Sequence, residues 1–313
     1  MNNFPLVTIF IYAYGKPDYL YQAIDSALRQ DYQNIELIVS DDCSDDFDKQ
    51  SVIEYIQNHK KSNVVKYLVD SNEQNLRTVK HINKMIPKFS GEYIIPLAGD
   101  DVFYDNSVVS RIVVRFLETD ALVMCCGRTE ADEKTLVTVS KRPNIYEKFF
   151  IKKLNSAEKQ FEYFSAAKFL AYSGCVTCYA RKLVDLIGLY DETYSIWEDG
   201  PRFYQIVSNG IYIENAFDII EIKHRLGGSS TCDKKSMYSI AINKEYDIYK
   251  QDIIIPFFKK TGKVLSYYEY GVVYPLELVK GKIKLALKYP VWWIAMIRRN
   301  IINKRERKEV VND

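Results

Sequence analysis

Two adjacent carboxylates, Asp100 and Asp101, stand where an apolar run, Glu92–Ala98, passes through Gly99 into a turn. Acidic groups at the end of a buried strand need a cation, a hydrogen-bonding ligand or open water, because burying them unpaired is costly. Similar groups recur. Asp41-Asp42 follows the apolar run Ile35–Ser40, Glu198-Asp199 follows Ile196-Trp197, and Asn75, Arg77 and Asn83 lie after a third apolar run. Singly each is weak, since an acidic strand end is often a helix cap or a solvated turn. Together they offer oxygen donors for a divalent ion and a carboxylate able to take up a proton.

An alternation of strand and helix over the first 130 residues positions these groups. Leu6–Tyr12 is a β-branched and aromatic run, Asp18–Arg29 carries Leu20, Ala23, Ile24, Ala27 and Leu28 at helical spacing behind an Asp18 N-cap, and Ile35–Ser40 is a second strand. Helices over Asp48–His59 and Leu76–Ile86, strands over Val64–Val69 and up to Ala98, a helix over Asp105–Leu117 and a strand over Ala121–Cys126 continue the series. The pattern predicts an α/β fold with a mostly parallel sheet, and such sheets bind ligands at the carboxyl ends of their strands. Residues 129–164 show no sustained period and read as a loop or hairpin. Helices are expected at Ser165–Tyr172, Ala180–Ile187 and Glu198–Ser208, the last closed by Asn209-Gly210, before a strand over Ile211–Ile222.

With 313 residues, 47% hydrophobic, 27% charged and a net charge of +2, the chain is globular and gives no reason to expect a nucleic-acid partner. The amino terminus lacks the positive segment of a secretory signal. Six cysteines are spread without a disulfide framework, which reads as a reducing, cytoplasmic setting. Cys175-Val-Thr-Cys178 has no second pair, and His59, His81 and His224 do not complete a zinc set with it, so its thiols read as ordinary small hydrophobes.

Beyond about Cys232 the chain changes character. Met237–Lys260 and Lys263–Lys288 look helical, and Tyr289–Ile297, with Trp292 and Trp293, precedes Arg298, Arg299, Lys304, Arg305, Arg307 and Lys308. The apolar run is well short of the ~20 residues that span a bilayer. It fits an interfacial segment with the Trp pair at headgroup depth and the cations toward anionic lipid, which places the protein on the inner face of the cell membrane. The alternative is a helix packed on the body with a solvated basic tail.

Order and context make these motifs specific. Pro5–Leu20 with the helix Gln22–Gln30, Asn34–Asp45, Ser90–Val102, Gly188–Asp191 with Trp197–Asp199, and His224–Thr231 together resemble the family 2 glycosyltransferases, GT-A fold enzymes of bacterial polysaccharide synthesis. The likeness covers about residues 4–232, so it implies a GT-A catalytic domain over 1–232 and a helical extension over 233–313. It implies a nucleotide site at Ile11, Ala13, Asp41, Arg77 and Asp100, with Asp41 on the uracil. It further implies metal ligation by Asp101 and His224, a catalytic base at Asp199 beside Glu198, and acceptor or diphosphate contacts from Trp197 and Arg225. Two departures stand out. Ala98 occupies the place where many members have a third acidic residue, which leaves the metal to Asp101, and Arg77 replaces a frequent glycine. The Gln-x-x-Arg-Trp signature of processive synthases is absent, which favours transfer of a single sugar.

The chemistry follows from the donor. A leaving nucleoside diphosphate gains negative charge that Mn²⁺ or Mg²⁺ stabilises, and one carboxylate with the diphosphate and water suffices to hold the ion. Asp100 is then left for a ribose hydroxyl or a metal-bound water. Asp199, opening a helix, is expected to stay ionised in the field of the helix N-terminus and to deprotonate the acceptor hydroxyl. Trp197 either stacks on a sugar face or belongs to the core. The implied activity is inverting transfer from a UDP-sugar to a glycan or lipid-linked glycan. Nucleotidyl transfer to a sugar phosphate would need a glycine-rich loop that Ala13–Lys16 does not provide. A non-catalytic binding protein on the same fold is disfavoured by the joint presence of Asp41, Asp100, Asp101 and Asp199.

Overall fold

A computed structural model describes residues 4–15, 17–166, 171–227 and 236–261. The expected helix over 263–288, the Trp292/Trp293 segment and the basic tail lie outside the described residues, as does the end of the His224–Thr231 segment.

In chain order the elements are β1 (Val7–Ala13), α1 (Pro17–Leu28), β2 (Ile35–Asp41), α2 (Lys49–His59), β3 (Val64–Ser71), α3 (Arg77–Met85), β4 (Tyr93–Ala98), β5 (Val102–Phe103) and α4 (Val108–Thr119). Then come β6 (Val123–Ala131), β7 (Thr138–Arg142), α5 (Ile145–Ile151), α6 (Ala157–Ala166), β8 (Thr177–Ala180), α7 (Lys182–Ile187), α8 (Asp199–Ser208), β9 (Glu214–Arg225), α9 (Met237–Tyr249) and α10 (Ile255–Thr261). Local chemistry sets several boundaries. Asp48 caps α2 by accepting from the backbone N–H groups of Gln50 and Ser51, and Asp120 closes α4 in the left-handed region at φ 50°. Helix α1 starts at Pro17, which puts Asp18 inside the first turn rather than at the cap.

The strands form one sheet in the order β3-β2-β1-β4-β8-β6-β9-β5, with β7 on β6. The β3-β2-β1-β4 half is parallel, and β6 pairs in parallel with β9, while β8 runs antiparallel between β4 and β6. The expected parallel character therefore holds for the main strands, and helices flank them. Val7, Ile9, Leu37, Val39, Ile95 and Leu97 fill the middle of the sheet and are fully buried. Parallel strands covered on both faces read as continuous apolar runs, which is why these were visible in the sequence.

Three expectations need correction. Ala180–Ile187 is not one helix: Ala180 ends β8, a strand too short to show a period, and the helix begins at Lys182. The helix expected over Ser165–Tyr172 falls largely on residues 167–170, outside the described residues; Ser165 and Ala166 belong to α6, and Tyr172 lies outside any helix. The 129–164 stretch does contain the hairpin β6-β7, but also helix α5 and most of α6. Among the described residues no helix is long and apolar enough to cross a membrane.

Candidate active site

Ala13 is level with Asp41, and Tyr12 with Ala98, so β1, β2 and β4 deliver their carboxyl ends to one edge. Asp41 is 1% exposed and accepts from both the backbone N–H (2.7 Å) and the hydroxyl of Ser44. Ser44 Oγ also accepts from the Gly15 N–H at 2.7 Å, which ties the turns after β1 and β2 together. Asp42 faces the other way, accepting from Asn72 Nδ2 (2.7 Å) and Leu76 N–H (2.8 Å), and so fixes the turn that leads to α3. Arg77 enters that helix exposed and at φ +64°, a conformation glycine adopts more readily, with its N–H on Asn75 Oδ1. Asn83 is structural: it exchanges hydrogen bonds of 2.9 Å with the backbone of Tyr190. The Ile11 side chain is fully buried in β1, which leaves only its backbone for a ligand; Ala13 ends β1 and its carbonyl accepts from the Asp42 N–H.

Gly99 makes the next turn possible. A Cβ there would lie 2.9 Å from that of Ala13, and only glycine lets β4 turn so close to β1. The turn places Asp101, with no exposed surface, against the end of β9. Its Oδ2 lies 2.9 Å from His224 Nδ1, and its Oδ1 accepts from the Arg225 N–H at 2.9 Å. Burial alone would lower the His224 pKa, but the adjoining Asp101 carboxylate outweighs it and the net shift is upward. Arg225 is itself 1% exposed. Its guanidinium donates to Gln22 Oε1 and the Glu133 carbonyl and lies 4.3 Å over the Tyr19 ring, while its Nε is buried without a hydrogen-bond partner among the described residues.

Glu198 and Asp199 adjoin the single turn Gly174–Val176, whose Cys175 lies near Asp101 and His224. Asp199 Oδ1 accepts from the Gly200 N–H at 2.7 Å and Oδ2 from the Gly174 N–H at 3.3 Å, while a Cβ on Gly174 would lie 2.6 Å from Glu198 Oε1. The helix N-terminus does not keep this pair in the ordinary carboxylate range. Burial, joined by the charge of Asp199, pushes Glu198 up to about 8, and burial raises Asp199 despite the N–H groups of Gly174 and Gly200. Tyr12 sits among these acids, its phenol raised by burial and then by the charges of Glu198, Cys175, Asp101 and Asp100.

The residues before Asp199 are held from α9. Glu245 Oε1 accepts from the Ser195 N–H (2.9 Å) and hydroxyl (2.6 Å), and Oε2 from the N–H groups of Ile196 (3.2 Å) and Trp197 (2.7 Å). The Trp197 ring packs edge-on to Tyr194, Tyr246 and Tyr249. Of the two roles open to it, this packing is that of the core.

The model for glycosyl transferase family 2 matches residues 8–176, over half of the chain. The chain belongs to this family. It is 26% identical over 286 residues, 84% of its length, to an uncharacterized glycosyltransferase of Rickettsia typhi, of which it covers 83%. It is 29% identical over 137 residues to the UDP-Glc:alpha-D-GlcNAc-diphosphoundecaprenol beta-1,3-glucosyltransferase WfaP of Escherichia coli, covering 42% of this chain and 49% of that protein. Its fold is similar to that of the mannosyltransferase PcManGT from Pyrobaculum calidifontis, solved with GDP-Man and Mn²⁺, at a TM-score of 0.60 and 12% identity over 99% of this chain and 86% of that one. TarS of S. aureus, solved with UDP-GlcNAc, superposes with a TM-score of 0.54 and 14% identity over 85% and 78%. These are GT-A glycosyltransferases, and the protein is a glycosyltransferase with that fold.

This family 2 transferase has donors that fit a divalent ion. Two donors on adjacent vertices of an ion at ~2.1 Å lie roughly 3 Å apart, which the 2.9 Å between Asp101 Oδ2 and His224 Nδ1 matches. Arg128, on β6, went unnoticed in the sequence. Its Nε and Nη1 are buried and have no hydrogen-bond partner among the described residues, and its charge partly offsets the upward shifts of Cys175, His224 and Asp199. A guanidinium so placed is poised for an oxyanion. Its only sequence signal is a cation two residues beyond a buried apolar run; Glu245 had none, because its partners lie some fifty positions away.

Proposed function

We propose that this glycosyltransferase moves a single sugar, with inversion, from a UDP-sugar to a lipid-linked glycan in the synthesis of a cell-surface polysaccharide. The observation that carries the reading is that two acidic centres, Asp101 with His224 and Glu198 with Asp199, both adjoin the Gly174–Val176 turn, the first at Cys175 and the second at Gly174. A sugar held beside that turn would meet a metal-holding centre for its leaving group and a carboxylate for the attacking hydroxyl. TarS was solved with UDP-GlcNAc, which supports the choice of donor, and WfaP is named for transfer from UDP-Glc to a diphosphoundecaprenol-linked acceptor, which supports both donor and acceptor class.

In this reading residues 1–232 are the catalytic domain, and 233–313 a helical extension whose basic carboxyl-terminal segment holds the protein to the inner face of the membrane. Asp41 accepts from the uracil N3–H, Arg77 contacts the base or ribose, and Asp100 holds a ribose hydroxyl or a metal-bound water. Asp101 and His224 hold Mn²⁺ or Mg²⁺, which when bound supplies positive charge for the departing diphosphate. Arg128 takes a phosphate oxygen with a charge-assisted hydrogen bond. Asp199 removes the proton from the acceptor hydroxyl while Glu198 orients the acceptor, and direct attack by that hydroxyl opposite the leaving group inverts the anomer.

A thermal-shift series with UDP-, GDP- and ADP-sugars in the presence of Mn²⁺ tests the donor assignment, because a ligand selective for the native state raises its stability. UDP-sugars should give the largest shift, and Asp41→Ala should weaken UDP by ~1–3 kcal/mol. Equal shifts from all three nucleotides would overturn the uracil pocket.

A further inference from the structure

The two thiols of Cys175-Val-Thr-Cys178 part company in the fold. Cys178 is fully buried in β8, where its Sγ lies 3.5 Å from Glu221 Oε2 in a separate cluster with Cys126. Cys175 lies in the turn before β8, half-buried, and its Sγ, a carboxylate oxygen of Asp101 and a ring nitrogen of His224 are all within 4.8 Å of one another.

We propose that Cys175 is a third protein ligand to the divalent ion of Asp101 and His224, giving an oxygen, nitrogen and sulfur donor set that takes Zn²⁺ or Co²⁺ in preference to Mg²⁺. This rests on the assignment of Asp101 and His224 as metal ligands. Sulfur and oxygen donors on one tetrahedral ion sit roughly 3.5 Å apart, and the three donors here already lie within 4.8 Å of one another. The same turn packs Gly174 against Glu198 and Asp199, and the Ser173 hydroxyl lies 3.3 Å from Cys175 Sγ, so the thiol is held on the wall shared by both acidic centres. On coordination the S–H bond breaks, its proton passes to solvent and a sulfur–metal bond forms; nothing is oxidised. A thiolate and an imidazole favour borderline ions, whereas Mg²⁺ prefers carboxylate and water, so the cysteine changes which ion the site retains.

Cobalt reads sulfur ligation directly. Chelator-stripped protein titrated with Co²⁺, with no sugar nucleotide present, should develop a near-ultraviolet thiolate-to-cobalt charge-transfer band, and Cys175→Ser should abolish it. Zn²⁺ affinity should fall by at least about tenfold in Cys175→Ser while Mn²⁺ affinity stays within about twofold. No band in the wild-type protein, or a band that persists in Cys175→Ser because it arises at Cys126 and Cys178, overturns the proposal. Should the variant fail to fold, Zn²⁺ protection of Cys175 against alkylation in the wild-type protein, mapped by peptide mass, gives the same answer: protection supports ligation, and an alkylation rate indifferent to Zn²⁺ removes it. Because neither readout involves transfer, a missing sulfur ligand leaves the glycosyl-transfer reading intact, and a failed transfer assay leaves the sulfur ligand intact.

Discussion

Glu245 accepts the backbone N–H of Trp197 at 2.7 Å, and through that bond a helix distant in sequence sets the position of the segment that ends in Glu198 and Asp199. The same carboxylate takes the N–H groups of Ser195 and Ile196, and these bonds hold it below the ordinary carboxylate range although burial opposes them. Glu245→Ala should leave those N–H groups unpaired, cost ~1–3 kcal/mol of stability and lower kcat at least about tenfold, with little effect on donor KM. Glu245→Gln keeps an acceptor oxygen and should recover most of the loss. Steady-state kinetics of both variants, with Tm values, check this.

Arg128 predicts opposite changes in stability and in binding. Its Nε and Nη1 are buried and unbonded among the described residues, so Arg128→Met should raise the Tm of the ligand-free protein. UDP affinity should fall by ~1.5–3 kcal/mol, the worth of a hydrogen bond to a charged group, while uridine binds as before. Calorimetry with UDP and uridine separates the two, and unchanged UDP affinity would remove Arg128 from the phosphate site.

Glu198 gives a pH signature. Burial and the Asp199 charge raise it to about 8, so it is neutral at pH 7 and becomes a second negative charge as pH rises through that value. An anionic donor should then bind less well: the UDP Kd of the wild-type protein should increase above pH ~8 and that of Glu198→Gln should not. Parallel pH profiles for the two proteins would contradict the assignment.

Glu221 gives a different one. It has no exposed surface, and burial raises it to about 8, against the partial relief given by the thiols of Cys178 and Cys126. A carboxyl whose folded pKa lies above its unfolded value keeps its proton in the native state and releases it on unfolding, so stability falls as pH rises from about 4.5 through about 8. Glu221→Gln removes that slope. Relative to wild type its stability should grow across this window, by on the order of 4 kcal/mol at the alkaline end, as read by denaturant melts at several pH values.

The parallel strands and the acidic turns were legible because the buried strands are mostly apolar and stop at polar residues, as at Ser40-Asp41 and Ala98–Asp101. Strand β8 was not, since four residues carry no period and its place is fixed by pairing with β4 and β6 on either side. The raised pKa values of Glu198 and Asp199 were misjudged because the helix N-terminus is visible in sequence whereas the burial that outweighs it depends on packing from elsewhere. Trp197 shows the same limit: its aromatic neighbours Tyr246 and Tyr249 arrive from α9.

The turnover of Asp199→Asn at saturating UDP-sugar and acceptor tests the central claim most directly. The substitution keeps the shape of the side chain, and its contacts with Gly174 and Gly200 can be replaced in part by the amide oxygen, but it removes the basicity. Transfer should fall by roughly 10²–10⁴, the usual worth of a positioned general base, with the UDP Kd unchanged. A variant that transfers sugar at the wild-type rate would contradict the account.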